Sequence, residues 1–379
     1  MSIIPRELKE APDAFAHYSQ KVKGSEIVQK DTSSPPTSGT MEPGIKWNVS
    51  TGLVAYIFNI ARMTMKQRFR APKRIVKACV STAVVLIGLW GMPTLAADPF
   101  RDSNPRNIDD TVQDAFDFFF KEGNYKQAEA YLKKSESRQS KEPMTYAMLS
   151  SLAYLDQDWE TFKSYGTKTL NTAQEMIASD PLRGNLYTAV GYFLEGAYDF
   201  EKEGPISALT KLQKVFEYLD EAKEIDPNDP ELNLITGYMD LMLAVNLPFS
   251  DPSQAIDKLE TYAFPSYLAY RGIAVGYRDL KQYSKAIDYV DRSMETTPSN
   301  PDVLYLKAQI LRKLGQEEES LDFFNKALEK QNQLPKRHAA QITYEQCKLE
   351  NKLTDGNRNC SKERNRIRKR GTDVAQKDD

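Results

Sequence analysis

From Thr111 onward, apolar residues recur at helical spacing. Val112, Ala115, Phe116, Phe119 and Phe120 fall at i, i+3, i+4, i+7 and i+8, one face of a helix. Gly123-Asn124 makes a turn, and Ala128, Ala130 and Leu132 belong to a second helix. β-branched alternation is nearly absent, and no hairpin turns flanked by strand patterns occur. The pattern predicts an all-α body.

The helical segments also repeat. Tyr283, Ala286 and Ser293 line up with Glu317, Ser320 and Ala327 at a step of 34 residues. Pro298 closes the first of these units, and Leu334-Pro335 falls near the equivalent place in the second. Tyr125 and Trp159 are also 34 apart, inside the similar phrases EGNYKQAEAYL and LDQDWETFKSY. This period, with small residues at fixed offsets and a Pro near the end, predicts stacked helix pairs.

These units resemble the tetratricopeptide repeat family. The unit 267–300 offers Tyr270, Ile273, Ala274 and Tyr277, then Tyr283, Ala286, Val290, Ser293 and Pro298. The unit 301–334 offers Leu304, Ala308 and Leu311, then Ser320, Phe324 and Ala327. The unit 143–176 offers Tyr146, Leu149, Ser150 and Ala153, then Trp159, Phe162 and Gly166. Small residues allow the two helices of a pair to approach closely. Gly191 and Gly237 fit the first-helix glycine of two longer units. Their second-helix partners, Ala222 and Tyr262, follow after 31 and 25 residues. The resemblance implies a right-handed superhelical solenoid of antiparallel helix pairs over residues 111–351. A capping helix, His338 to Leu349, would close its end. The whole layout further resembles a cyanobacterial family of exported tetratricopeptide-repeat proteins. That likeness implies a fold and a compartment, and no reaction.

The resemblance also places certain residues on the concave face. They are Leu234, Tyr238 and Leu241, then Arg271, Val275 and Arg278, then Tyr305, Gln309 and Arg312. Tyr238, Arg271, Arg278, Tyr305, Gln309 and Arg312 are the candidate binding residues. Arginine mixed with aromatic rings suits a protein partner with carboxylates and apolar anchors. Arg271 and Val275 stand where chaperone-linked members carry a Lys/Asn clamp, so a C-terminal carboxylate is not the expected ligand.

Charge narrows the partner. The net charge of -2 conceals 29 Lys+Arg against 42 Asp+Glu in residues 98–351. An acidic body argues against nucleic acid, which requires a basic face. Residues 352–379 carry 9 basic against 5 acidic residues, including KERNRIRKR (Lys362 to Arg370), and are expected to be a solvated, disordered tail.

Residues 63–97 have the layout of an export signal. A basic lead (Lys66, Arg68, Arg70, Lys73, Arg74, Lys77) precedes an apolar run from Ala78 to Trp90, then Pro93, Ala96 and Ala97. The charges precede the run, which directs everything after Asp98 across a membrane. Two readings stay open: a cleaved signal peptide, or an uncleaved anchor with membrane contact through residues 75–97. Residues 1–62 are then a disordered extension or precede a true start at Met63 or Met65. Residues 98–110, polar and broken by Pro105, are expected to be a linker. The expected compartment is the periplasm, or the inner membrane if the run is retained.

Cys79 lies in the leader. Cys347 and Cys360 are left as a disulfide or as two unpaired thiols. Chemistry is sparsely provided for. His338 is the sole histidine after the leader, and there is no His-x-x-x-His, Cys-x-x-Cys or phosphate loop. Asp226 and Asp229 in DPNDPE are expected to be turn and cap residues. No cofactor, metal or catalytic residue is expected. The function expected is a non-enzymatic interaction scaffold. The alternatives are an envelope hydrolase using Asp/Glu pairs and a membrane-anchored structural protein.

The leader makes a direct prediction. Protein isolated from envelope extracts should begin at Ala97 or Asp98 on N-terminal sequencing. Recovery of residues 10–60 in the accumulated protein would rule out both cleavage and a late start.

Overall fold

The computed structural model describes residues 98–246 and 252–369, all within one compact body. Residues 1–97, with the expected export signal and disordered extension, and residues 247–251 and 370–379 lie outside the described residues.

Fourteen α-helices follow one another, and no strand occurs among the described residues. The opening unit is α1 (Asp110–Phe116), a π-helical turn (Asp117–Lys121) and α2 (Tyr125–Ser137). Then come the pairs α3 (Pro143–Asp156) with α4 (Trp159–Met176), and α5 (Pro181–Glu203) with α6 (Pro205–Ile225). The next pairs are α7 (Pro230–Asn246) with α8 (Ser253–Thr261), and α9 (Ser266–Asp279) with α10 (Tyr283–Thr296). The last are α11 (Pro301–Leu314) with α12 (Glu317–Glu329), and α13 (Lys336–Thr354) with α14 (Cys360–Lys369). The array curls until α13 touches α3.

A local grammar starts the first helices. Glu142, Asp180 and Asn300 each accept a first-turn backbone N–H, and a proline follows each as the first helical residue. Asp229 does the same for the N–H of Leu232, ahead of Pro230. The cap satisfies a donor that the helix cannot, and proline has no N–H to leave orphaned.

Small residues then set the pair spacing. Ser150 Oγ donates to the Phe162 carbonyl at 3.0 Å, Ser293 Oγ to Tyr267 at 2.9 Å and Ser320 Oγ to Ala308 at 2.7 Å. Each bond crosses from one helix of a pair to the other, so each hydroxyl is paired inside the core. Ala286 and Ala327 are fully buried at neighbouring small positions. Between neighbouring pairs the approach is closer still: a Cβ at Gly191 of α5 would lie 2.6 Å from the Leu170 Cα of α4.

Several expectations need correction. The longer middle pairs are present, with α5 and α6 of 23 and 21 residues. Tyr262, however, lies beyond the end of α8 and is exposed. Leu259 packs opposite Gly237 instead. The stretch 98–110 is no solvated linker, because Asp98, Phe100 and Ile108 are buried. Phe100 meets the Phe116 ring edge-on at 5.0 Å. The basic tail is helical through Lys369. Cys360 and Ile367 are buried, the Arg364 guanidinium lies 4.7 Å from the Tyr344 ring, and a disulfide joins Cys360 to Cys347 of α13. A bridge and one apolar anchor therefore order a segment whose charge run suggested none.

Ala286 tests the frame. Ala286→Trp should lower stability by roughly 1–3 kcal/mol through overpacking, read as a lower urea midpoint. An unchanged midpoint would place Ala286 outside the helix pair.

Candidate functional site

The capped ends of the first helices form an edge, and the N-terminal residues lie across it. Arg106 pairs with Glu231 and, at 2.5 Å, with Asp229; Arg101 also pairs with Asp229. Asp98 accepts from the Phe100 N–H at 2.9 Å and lies 3.8 Å from the Arg106 guanidinium. Deeper in, Arg183 of α5 makes two 2.8 Å bonds to Glu142 and one of 3.0 Å to Glu231. The Tyr187 hydroxyl donates to the other oxygen of Glu231 at 2.7 Å. The side chains of Asp98, Asp229 and Glu231 are wholly buried.

Burial alone would lower the Arg183 guanidinium, but the charges of Glu231 and Glu142 outweigh it and hold Arg183 well above its ordinary value. Arg106 is raised in the same way, Glu231 and Asp229 overcoming desolvation. Burial and the Glu231 charge push the Tyr187 hydroxyl well up, so it stays a neutral donor. Four carboxylates meet three guanidiniums here, and the excess negative charge lies at helix N-termini, where the dipole favours it.

Further along the edge, the opening unit reaches α11. Asn300 Nδ2 donates to the Phe120 carbonyl at 3.0 Å, and the Tyr125 hydroxyl donates to Asp302 at 2.5 Å. Gly123 makes this fit possible. Its φ is +64°, and a Cβ there would lie 2.7 Å from Asn300 Oδ1. His338 is 23% exposed and lies 3.2 Å from Asp302.

Most of the candidate groove residues already have partners within the chain. Arg271 pairs with Asp302 at 3.5 Å. The Tyr238 hydroxyl donates to the Leu268 carbonyl at 2.6 Å, and burial pushes it up to about 12. Arg278 donates to Gln309 Oε1 at 2.7 Å, and Tyr305 donates to Glu345 Oε1 at 2.7 Å. Burial and the Glu345 charge hold the Tyr305 hydroxyl well above its usual range. Arg278, Gln309, Glu345 and Tyr305 thus form a polar row across α9, α11 and α13, while Arg312 is exposed beside it. The sequence marked this row but missed its partner Glu345. It also missed Arg101, Arg106, Glu142, Arg183 and Glu231, because no spacing relates residues so far apart.

Among the described residues, no group of three or more His, Cys, Asp or Glu could hold a metal. No described helix is long and apolar enough to cross a membrane.

The described chain is an all-α helical-repeat solenoid, a fold of interaction proteins. Within it, residues 301–332 match the tetratricopeptide repeat family model, and this stretch is the α11–α12 pair. A structure of the human IFIT1 dimer with PPP-AAAA is similar at 13% identity and a TM-score of 0.38, over 67% of this chain and 58% of that one. The TPR2AB-domain:pHSP90 complex of yeast Sti1 is similar at 16% identity and a TM-score of 0.27, over 63% of this chain and 98% of that one. No curated protein matches the chain.

The edge cluster generates a quantitative expectation. Glu231→Gln keeps the shape and removes the charge shared by Arg183 and Arg106. Stability should fall by about 3–5 kcal/mol, as when one partner of a buried pair is lost. A change below about 1 kcal/mol in urea unfolding would mean that this carboxylate does not hold the edge.

Proposed function

We propose that the protein is a non-enzymatic scaffold of the bacterial cell envelope, holding a segment of a partner protein against the first-helix face. The observation that carries this reading is the row Arg278–Gln309 with the exposed Arg312 next to it. Arg278 donates to Asp279 and Gln309, and Gln309 faces Glu345, so Arg312 is the exposed donor at the end of this row. An extended or helical segment bearing carboxylates fits such a row. Residues 98–125 take the N-terminal ends of α7 and α11, so the partner lies toward the C-terminal ends of the first helices. Asp229 and Glu231, the most buried carboxylate pair, are matched by arginines, which favours a scaffold over a hydrolase using Asp/Glu pairs. The envelope assignment rests on the layout of residues 63–97.

Site-specific photocrosslinking tests this reading. A photoreactive residue at position 312 should give one adduct of defined mass in envelope fractions. Arg278→Glu should abolish it, because the reversed charge repels the partner's carboxylates. A probe at Glu221, exposed on α6, should give none. Equal adducts from both positions, or insensitivity to Arg278→Glu, would overturn the groove assignment.

A further inference from the structure

The last helix pair builds a basic pocket that the groove does not use. It is open, about 390 Å³, and lined by Arg337, Asn365, Arg368 and Lys369. Arg337 belongs to the first turn of α13, and the other three to the last turns of α14. The disulfide and the buried Ile367 keep α14 on α13, so these groups face a common space while α14 is held. Three lining side chains are cationic donors with no acceptor atom, and the fourth adds an amide.

Two of the neighbouring cations are engaged elsewhere. Arg358 bonds to Glu350 and Glu363, and Arg364 lies over Tyr344. Among the described residues, Arg337 and Arg368 have no carboxylate partner, whereas Lys369 has an interaction of its own. Arg337 adds positive charge at the N-terminal end of α13, whereas Arg368 and Lys369 stand at the C-terminal end of α14, whose dipole offsets part of their charge. Like charges gathered at one place repel, and a bound anion relieves that repulsion. The rest of residues 98–351 is strongly acidic, so the attraction is local to this pocket.

We propose that this pocket binds a multiply charged oxyanion of the phosphate type, with Arg337 and Arg368 as its principal ligands. Planar guanidinium groups match such oxygens in pairs. The source is either a free phosphate compound or the phosphodiester headgroup of an anionic lipid. The inference stands on α13 and α14 and does not depend on the groove.

The full chain titrated calorimetrically with inorganic pyrophosphate at low ionic strength should bind, and added salt should weaken the binding. The double variant Arg337→Gln/Arg368→Gln should bind about tenfold more weakly or worse. Lys313→Gln, an exposed charge outside the pocket, should not change it. Flotation with vesicles of phosphatidylcholine, alone or mixed with phosphatidylglycerol, separates the sources. Phosphatidylglycerol-dependent flotation lost in the double variant identifies a lipid headgroup, and pyrophosphate binding without it identifies a soluble phosphate. Absence of both, or equal binding by the double variant, overturns the proposal.

Discussion

The carboxylate of Glu231 is the point on which the arrangement of the array turns. Two arginines and a tyrosine converge on it, Arg106 from the segment before α1 and Arg183 and Tyr187 from successive turns of α5. A charge with no solvent exposure is tolerable only when it is matched, and here each oxygen has a donor. Satisfying it fixes the N-terminal ends of α5 and α7 and the segment before α1 relative to one another. Helix pairs give each neighbour contact separately, but this cluster ties elements that a plain stack would leave apart.

The same edge governs what remains available for a partner. Cap residues that usually serve only their own helix also receive the opening unit here. Asn300 caps α11 and donates to the Phe120 carbonyl, while Asp229 caps α7 and receives two arginines. One end of the first-helix face is therefore covered from within. The other end keeps the Arg278–Gln309 row and Arg312.

How much the sequence revealed follows from the range of each interaction. The small positions Ala286, Ser293 and Ser320, and the prolines Pro298 and Pro335 near the ends of their units, are written in residues a few places apart. They were legible as period and punctuation. The two lengthened pairs blurred that period, so Tyr262 was assigned to a helix that ends before it, and Leu259 is the residue opposite Gly237. The tail was misread because net charge hides a single buried isoleucine and a bridge. The segment RDSNPR lacks periodicity altogether. Its arginines gain meaning only beside Asp229 and Glu231, and a lone sequence contains no mark of that pairing.

Gly123 and the bonds around it carry a consequence for how the molecule comes into being. Tyr125 meets a residue 177 positions later, and Arg106 meets one 123 positions later. A chain made from its N-terminus exposes its opening unit long before those partners exist. Helix pairs joined by local contacts form as they emerge, because short loops cost little to close. The opening unit has to wait, with Phe116, Phe119 and Phe120 lacking their final cover. Assembly thus ends with the opening unit, which is made well before the residues that hold it in place.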